Sequence, residues 1–166
     1  MNVHLESELK KITDLARAEN YEAALRRIDQ LAAEWPNEPK IWAERAFVNE
    51  RQGDREAALC DLARTIALCN DEPHHFYIRG ILLFQLGRYD EAICDFTKVL
   101  ELCDYHKSNY YRSPAHFFRA DAYLRLKQYK KAKADCEHVR DDMCTWTDRL
   151  RTKADILAEC GGSPSG

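Results

Sequence analysis

His74 and His75 stand side by side, and they are the first pair in the chain that could hold a metal ion. On a helix, adjacent side chains point about 100° apart, so the two imidazoles converge poorly on one ion. The seven cysteines are an odd number and none forms a C-x-x-C pair, which argues against both a closed disulfide framework and a zinc site. They are expected to be reduced and mostly buried, as small hydrophobes. The chain contains no G-x-S-x-G, H-E-x-x-H, Walker A or G-x-G-x-x-G sequence, the patterns that place a nucleophile, a metal or a phosphate. No catalytic, cofactor-binding or metal-ligating residue is assigned, no cofactor is expected, and the chain is read as a non-enzyme.

With chemistry set aside, binding remains. Lys plus Arg number 25 and Asp plus Glu 28, a formal charge of −3 over 166 residues. That balance gives no general pull toward nucleic acid or membrane. Charge is uneven locally, since residues 105–140 hold nine bases against three acids. The opening "MNVHLESELKKITDL" mixes charges with its apolar residues and lacks the apolar run of a signal peptide. Nothing approaches the roughly 18 apolar residues of a membrane span. The expectation is a cytoplasmic protein with no membrane partner.

The elements that would position a binding surface follow from self-similarity. "RQGDREAALCDLARTIALC" (51–69) lies over "QLGRYDEAICDFTKVLELC" (85–103) at an offset of 34, with Gly53 on Gly87, Ala58 on Ala92, Cys60 on Cys94, Asp61 on Asp95 and Cys69 on Cys103. A third copy lies 34 residues earlier ("AENYEAALRRIDQLAAEWP", 18–36), and a fourth, "RLKQYKKAKADCEHV" (125–139), lies 40 residues after copy three. Each copy divides into two amphipathic helices. The second opens with an Ala and carries a large residue four later: Ile28, Leu62 and Phe96, with Cys136 last. The first carries a bulky ring and a small residue, as in Trp42/Ala46, Phe76/Gly80 and His116/Ala120, and the small one lets the helices approach. Pro39, Pro73 and Pro114 fall in first turns, with Ser113 as the expected N-cap of the last.

This pattern resembles the tetratricopeptide repeat family over residues 5 to about 140, whose sequence is W-x-x-L-G-x-x-Y, then A-x-x-x-F, then P. Copy three matches through Phe76, Gly80, Tyr89, Ala92 and Phe96, while Arg45, Arg79 and Arg119 stand where the family has Leu. The resemblance implies an all-α, right-handed solenoid of four helix hairpins plus a C-terminal capping helix. One domain over 1–160 is expected, with repeats at about 5–38, 39–72, 73–106 and 113–141, the capping helix at 142–160 and a disordered tail at 161–166. The helix 78–86 is apolar on almost all sides, as an element flanked by neighbours in a solenoid must be. The capping helix is read from Met143, Trp146, Leu150, Ala154 and Leu157 at steps of three and four, with Gly161 as its stop. Six surplus residues in or near 105–112 lengthen a helix or form a loop.

Carried over residue by residue, the family geometry implies a partner-binding groove lined by Phe47, Arg51, His74, Tyr77, Ile81, Phe84, Phe117, Asp121, Leu124 and Arg125. Its centre is apolar, which suits a peptide or helical segment of another protein. The family modules that clamp the C-terminal carboxylate of heat-shock chaperones use Lys and Asn at several of these places, where this chain has Leu9, Thr13, Ala43, Phe47, Tyr77 and Ile81. The expected function is therefore a non-catalytic protein–protein module, adaptor- or chaperone-like, whose partner is another protein. Two alternatives remain: RNA binding through the basic, aromatic-rich fourth repeat, and a structural subunit that self-associates into a homo-oligomer through the groove.

Overall fold

The computed structural model describes residues 3–146 and 150–161, and the chain divides into two compact units, Met1–Asn70 and Asp71–Gly166. The first unit holds two helix hairpins: α1 (Val3–Arg17) with α2 (Tyr21–Glu34), and α3 (Pro39–Gln52) with α4 (Arg55–Leu68). Pro39 opens α3 with its φ already helical. Asn20 and Asp54 cap α2 and α4, each accepting a backbone N–H three residues on. The turn of the second hairpin closes on Gly53 at φ +95°, where a side chain would be strained. The first hairpin makes the same turn with Glu19 at φ +60°. α3 packs on both α1 and α2, and the core lies among Leu5, Leu9, Ile12, Ile28, Ile41 and Val48.

The second unit holds α5 (Pro73–Gln85) with α6 (Tyr89–Tyr105), and α7 (Arg112–Arg125) with α8 (Tyr129–Cys136). A short antiparallel pair follows, β1 (Cys144–Trp146) with β2 (Leu150–Thr152), then α9 (Lys153–Gly161). α7 packs on α5 and α6, and α9 in turn on α7 and α8. Each first helix thus has company on more than one side, which is why α5 is apolar nearly all round. The Ala column and its partner four later are buried in all four hairpins, at Ala24/Ile28, Ala58/Leu62, Ala92/Phe96 and Ala132/Cys136.

The small residue on α5 has a specific reason. A Cβ on Gly80 would fall 2.9 Å from Phe96 Cε1 and 3.0 Å from Cζ, so the ring occupies the space a side chain would need. The other hairpins carry Ala46 and Ala120 at this place, where the residue sixteen later is Leu62 and Cys136 rather than Phe. Gly80→Leu is expected to lower stability by about 1–3 kcal/mol through overpacking, read from thermal melting. Adding Phe96→Leu should recover part of the loss, and an unchanged melt for Gly80→Leu would remove this contact from the core.

Four details differ from the sequence reading. The surplus residues do both things: α6 runs to 17 residues, against 14 for α2 and α4, and 106–111 form a connection. Ser113 is not an N-cap, because α7 already begins at Arg112 after Tyr111; its Oγ accepts the Arg140 backbone N–H at 3.0 Å. The cysteines are less buried than expected, with Cys103, Cys136 and Cys160 inside but Cys60, Cys94 and Cys144 exposed. The C-terminal helix starts at Lys153 rather than 142. Thr152 and Asp155 form a reciprocal cap there, with Thr152 N donating to Asp155 Oδ2 at 2.8 Å and Asp155 N to Thr152 Oγ1 at 3.2 Å. The expected disordered tail lies outside the described residues beyond Gly161, which is itself the last residue of α9.

Candidate functional site

The departures from the family pattern turn out to be half of a buried pair. Arg45, Arg79 and Arg119 each reach an aspartate sixteen residues on, in the second helix of the same hairpin. Arg79 Nε and Nη2 donate to Asp95 at 2.7 and 2.6 Å, and Arg119 Nε and Nη2 to Asp135 at 2.8 and 2.6 Å. Arg45 Nε and Nη2 donate to Asp61 at 3.0 and 2.7 Å, with Asn49 Nδ2 adding a bond at 2.8 Å. All three aspartates are buried. Burial pushes Asp135 up, but hydrogen bonds from Arg119 and His116 outweigh it and hold its carboxyl below the ordinary range. These pairs lie inside the hairpins and tie the first helix of each to its second.

Of the ten residues assigned to a groove, Phe47 and Arg51 belong to the first unit and the other eight to the second. Phe47 is half-buried against the first unit's core, while Arg51 is exposed in the last turn of α3. In the second unit Tyr77 and Ile81 are half-buried, Phe84 is buried, and His74 is exposed. Tyr77 and Phe84 both stand edge-on to Phe118 of α7, at 6.1 and 5.8 Å between ring centres. Phe117, Asp121 and Leu124 are buried. Asp121 is taken up by the chain itself: Arg151 Nε donates to it at 2.8 Å and Arg125 Nε lies at 3.4 Å. The C-terminal segment therefore contacts the face of α7 assigned to a partner, and in this conformation Phe117, Asp121 and Leu124 are not open.

His74 and Tyr77 instead meet residues that sequence reasoning did not place in the site. The connection after α6 folds back to α5, putting the Tyr111 ring 5.0 Å from Tyr77 and its hydroxyl in a 2.8 Å hydrogen bond with His74 Nδ1. Tyr110 stands edge-on to Tyr111 at 4.7 Å and is largely exposed. The connection is held in shape by His106 Nε2 against Asp71 O at 2.8 Å, by Ser108 N donating to Cys103 O at 2.9 Å and by Arg112 paired with Asp104 at 2.7 Å. These rings, with Ile78, Asn109, Ser113, Pro114, Arg140 and Met143, line a cavity of about 840 Å³, within the range of ligand sites. Burial pushes the Tyr77 hydroxyl up to about 12, with Tyr111 and Tyr110 adding to the effect, so it stays a neutral donor. The surplus of six residues rich in Tyr was the available signal. Its spacing did not say which helix it returns to.

The cavity can hold an apolar or aromatic group among phenol rings and offer it hydroxyl, imidazole and guanidinium donors. Among the described residues, no group of three or more His, Cys, Asp or Glu is placed to hold a metal ion, and no helix is long and apolar enough to cross a membrane.

Stacked helix hairpins of one repeating design, with a ring-lined cavity beside the third, define an all-α repeat protein of the tetratricopeptide solenoid class. The tetratricopeptide repeat profile matches residues 9–73, 76–106 and 113–139, and the chain belongs to that family. Among solved structures it is similar to MamA, at 16% identity over 83% of this chain and 72% of that one (TM-score 0.67). MamA from Desulfovibrio magneticus RS-1 gives 17% identity over 83% and 75% (TM-score 0.70). The Yersinia enterocolitica type III secretion chaperone SycD, solved in complex with a peptide of the translocator YopD, gives 14% identity over 76% and 97% (TM-score 0.63). No match is found among curated protein sequences.

Proposed function

We propose that this chain is a non-catalytic protein-interaction module that takes a peptide segment of another protein at the ring-lined cavity of its second unit. The observation that carries the reading is the cavity itself, formed by His74, Tyr77, Tyr110 and Tyr111. Aromatic anchors with a polar tip are the residues that most often concentrate interface energy. A similar fold, SycD, holds a translocator peptide, which supports a peptide as the occupant. A protein partner is favoured over RNA because the fourth repeat's Tyr123 is half-buried and faces Lys131, whose Nζ lies 5.3 Å from the ring centre. That ring is not free to stack on a base.

A photo-crosslinking amino acid at Tyr110 should join the chain to a partner polypeptide, while the same group at exposed Arg26 of the first unit should not. Tyr110→Ala with His74→Ala is expected to cost at least about 2 kcal/mol in affinity for that partner, roughly thirtyfold, with the helical spectrum unchanged. Crosslinks from Arg26 alone, or a double mutant that binds like wild type, would place the site elsewhere.

A further inference from the structure

We infer that the occupant of the cavity is an acidic peptide segment, seating one bulky apolar side chain among Tyr77, Tyr110 and Tyr111 and setting a neighbouring carboxylate on Arg140. This rests on the reading of the cavity as a peptide site and adds the chemistry of what fills it. Among the described residues, the lining carries a guanidinium, an imidazole, an amide, a hydroxyl and three phenols, and no carboxylate. Arg140 is the one formal charge among those residues, and apolar walls beside it strengthen its draw on an anion that displaces Asp142.

Arg140 is fixed in place at its backbone. Its N–H donates to Ser113 Oγ at 3.0 Å, and Lys153 Nζ ties the same segment down by donating to Val139 O at 2.9 Å and Asp141 at 2.8 Å. Its guanidinium is held much more loosely. Asp142 takes it at 3.1 and 3.5 Å, but the two side chains are 70% and 75% exposed, and exposed pairs of this kind hold weakly. A peptide carboxylate delivered by a ring already seated in the cavity is a local competitor at high effective concentration, so it displaces Asp142. A planar guanidinium receives it through two parallel bonds.

The probes are three capped peptides, acetyl-Glu-Phe-Glu-amide, acetyl-Gln-Phe-Gln-amide and acetyl-Lys-Phe-Lys-amide, titrated into the full chain at low salt and followed by amide NMR shifts. The acidic peptide is expected to bind at least about threefold more tightly than the Gln peptide, and the Lys peptide more weakly than either. Asp142→Asn, which removes the competitor, should strengthen binding of the acidic peptide by about two- to fivefold and leave the Gln peptide unchanged. Arg140→Gln should erase the preference. A merely structural Arg140–Asp142 pair would not produce a gain from Asp142→Asn. Equal affinities for the three peptides, with shifts at His74 and Tyr111, would overturn the acidic inference while the peptide site stands. Shifts confined to Lys130 and Lys133 of α8, or none for any peptide, would overturn both.

Discussion

Arg79→Leu, which installs the residue the family pattern carries at this place, is expected to destabilise the second unit by roughly 3 kcal/mol rather than improve it. Asp95 is only 4% exposed and accepts two short bonds from Arg79. Removing the guanidinium strands a carboxylate inside the hairpin, a change that costs about 3–5 kcal/mol for fully buried pairs. The lower end applies because the Arg79 side chain is itself about a quarter exposed, at 24%. The double mutant Arg79→Leu with Asp95→Ala has a different expected sign. An ion pair taken out whole and replaced by apolar groups is often neutral or stabilising. Urea melts of the two single and one double mutant measure the coupling directly. A single mutant as stable as wild type would show that Asp95 finds water or another donor.

Arg151→Met is expected to release the C-terminal segment, at a cost of about 3–5 kcal/mol for that element. Arg151 is 1% exposed and sits between Asp121, at 2.8 Å, and Glu159, at 2.8 Å. Burial lowers its pKa, but the hydrogen bonds of Glu159 and Asp121 outweigh that and hold it above the ordinary arginine value. The guanidinium stays charged under any folding condition. Without it, Asp121 is left among the described residues with the longer contact to Arg125, at 3.4 Å. Hydrogen exchange over 150–161 should accelerate before the rest of the second unit responds, because α9 is short and its hold on α7 and α8 depends on few side chains. Glu159→Gln should do far less, since its side chain is 44% exposed. Equal exchange in wild type and Arg151→Met would show that Ile156 and Cys160 alone anchor the segment.

The hairpins were legible because one offset of 34 repeated the small residues, the turn glycine and the first-turn prolines together. Each of those has a single physical job, and the structure uses them for it: Gly53 and Gly87 in left-handed turns, Ala58 and Ala92 in the interior. The C-terminal segment was not legible in the same way. Met143, Trp146, Leu150, Ala154 and Leu157 mimic a helical stripe, yet Leu150 and Leu157 are 48% and 38% exposed, and the buried ones among the segment's described residues are Arg151, Ile156 and Cys160. An apolar-periodicity reading cannot choose an arginine as a core position, because only its two carboxylate partners make that burial tolerable. The Thr152-x-x-Asp155 box was in the sequence and does mark the true helix start. Asp121 was read as groove-facing for the same reason: its partner is thirty residues away. The site was half visible. His74 and Tyr77 were assigned from repeat geometry, while Tyr110, Tyr111, Arg140 and Met143 join them only through the fold-back of a connection and a tail that follow no repeat.

The three arginine–aspartate pairs bear on how such an array can change its length. Both members of each pair lie within one hairpin, sixteen residues apart, so a gene segment encoding a hairpin carries a charge together with its neutralising partner. Duplicating or deleting that segment for the second or third hairpin leaves neither member of its pair stranded, whereas the fourth also carries Asp121, the partner of buried Arg151. The contacts that cross to a preceding hairpin are weaker complements: Arg45 also reaches Asp29 at 3.1 Å, and Arg119 also donates to Thr97 Oγ1 at 3.0 Å. Copies can therefore be added or lost as whole cassettes, whereas point substitution at either member alone is opposed by burial.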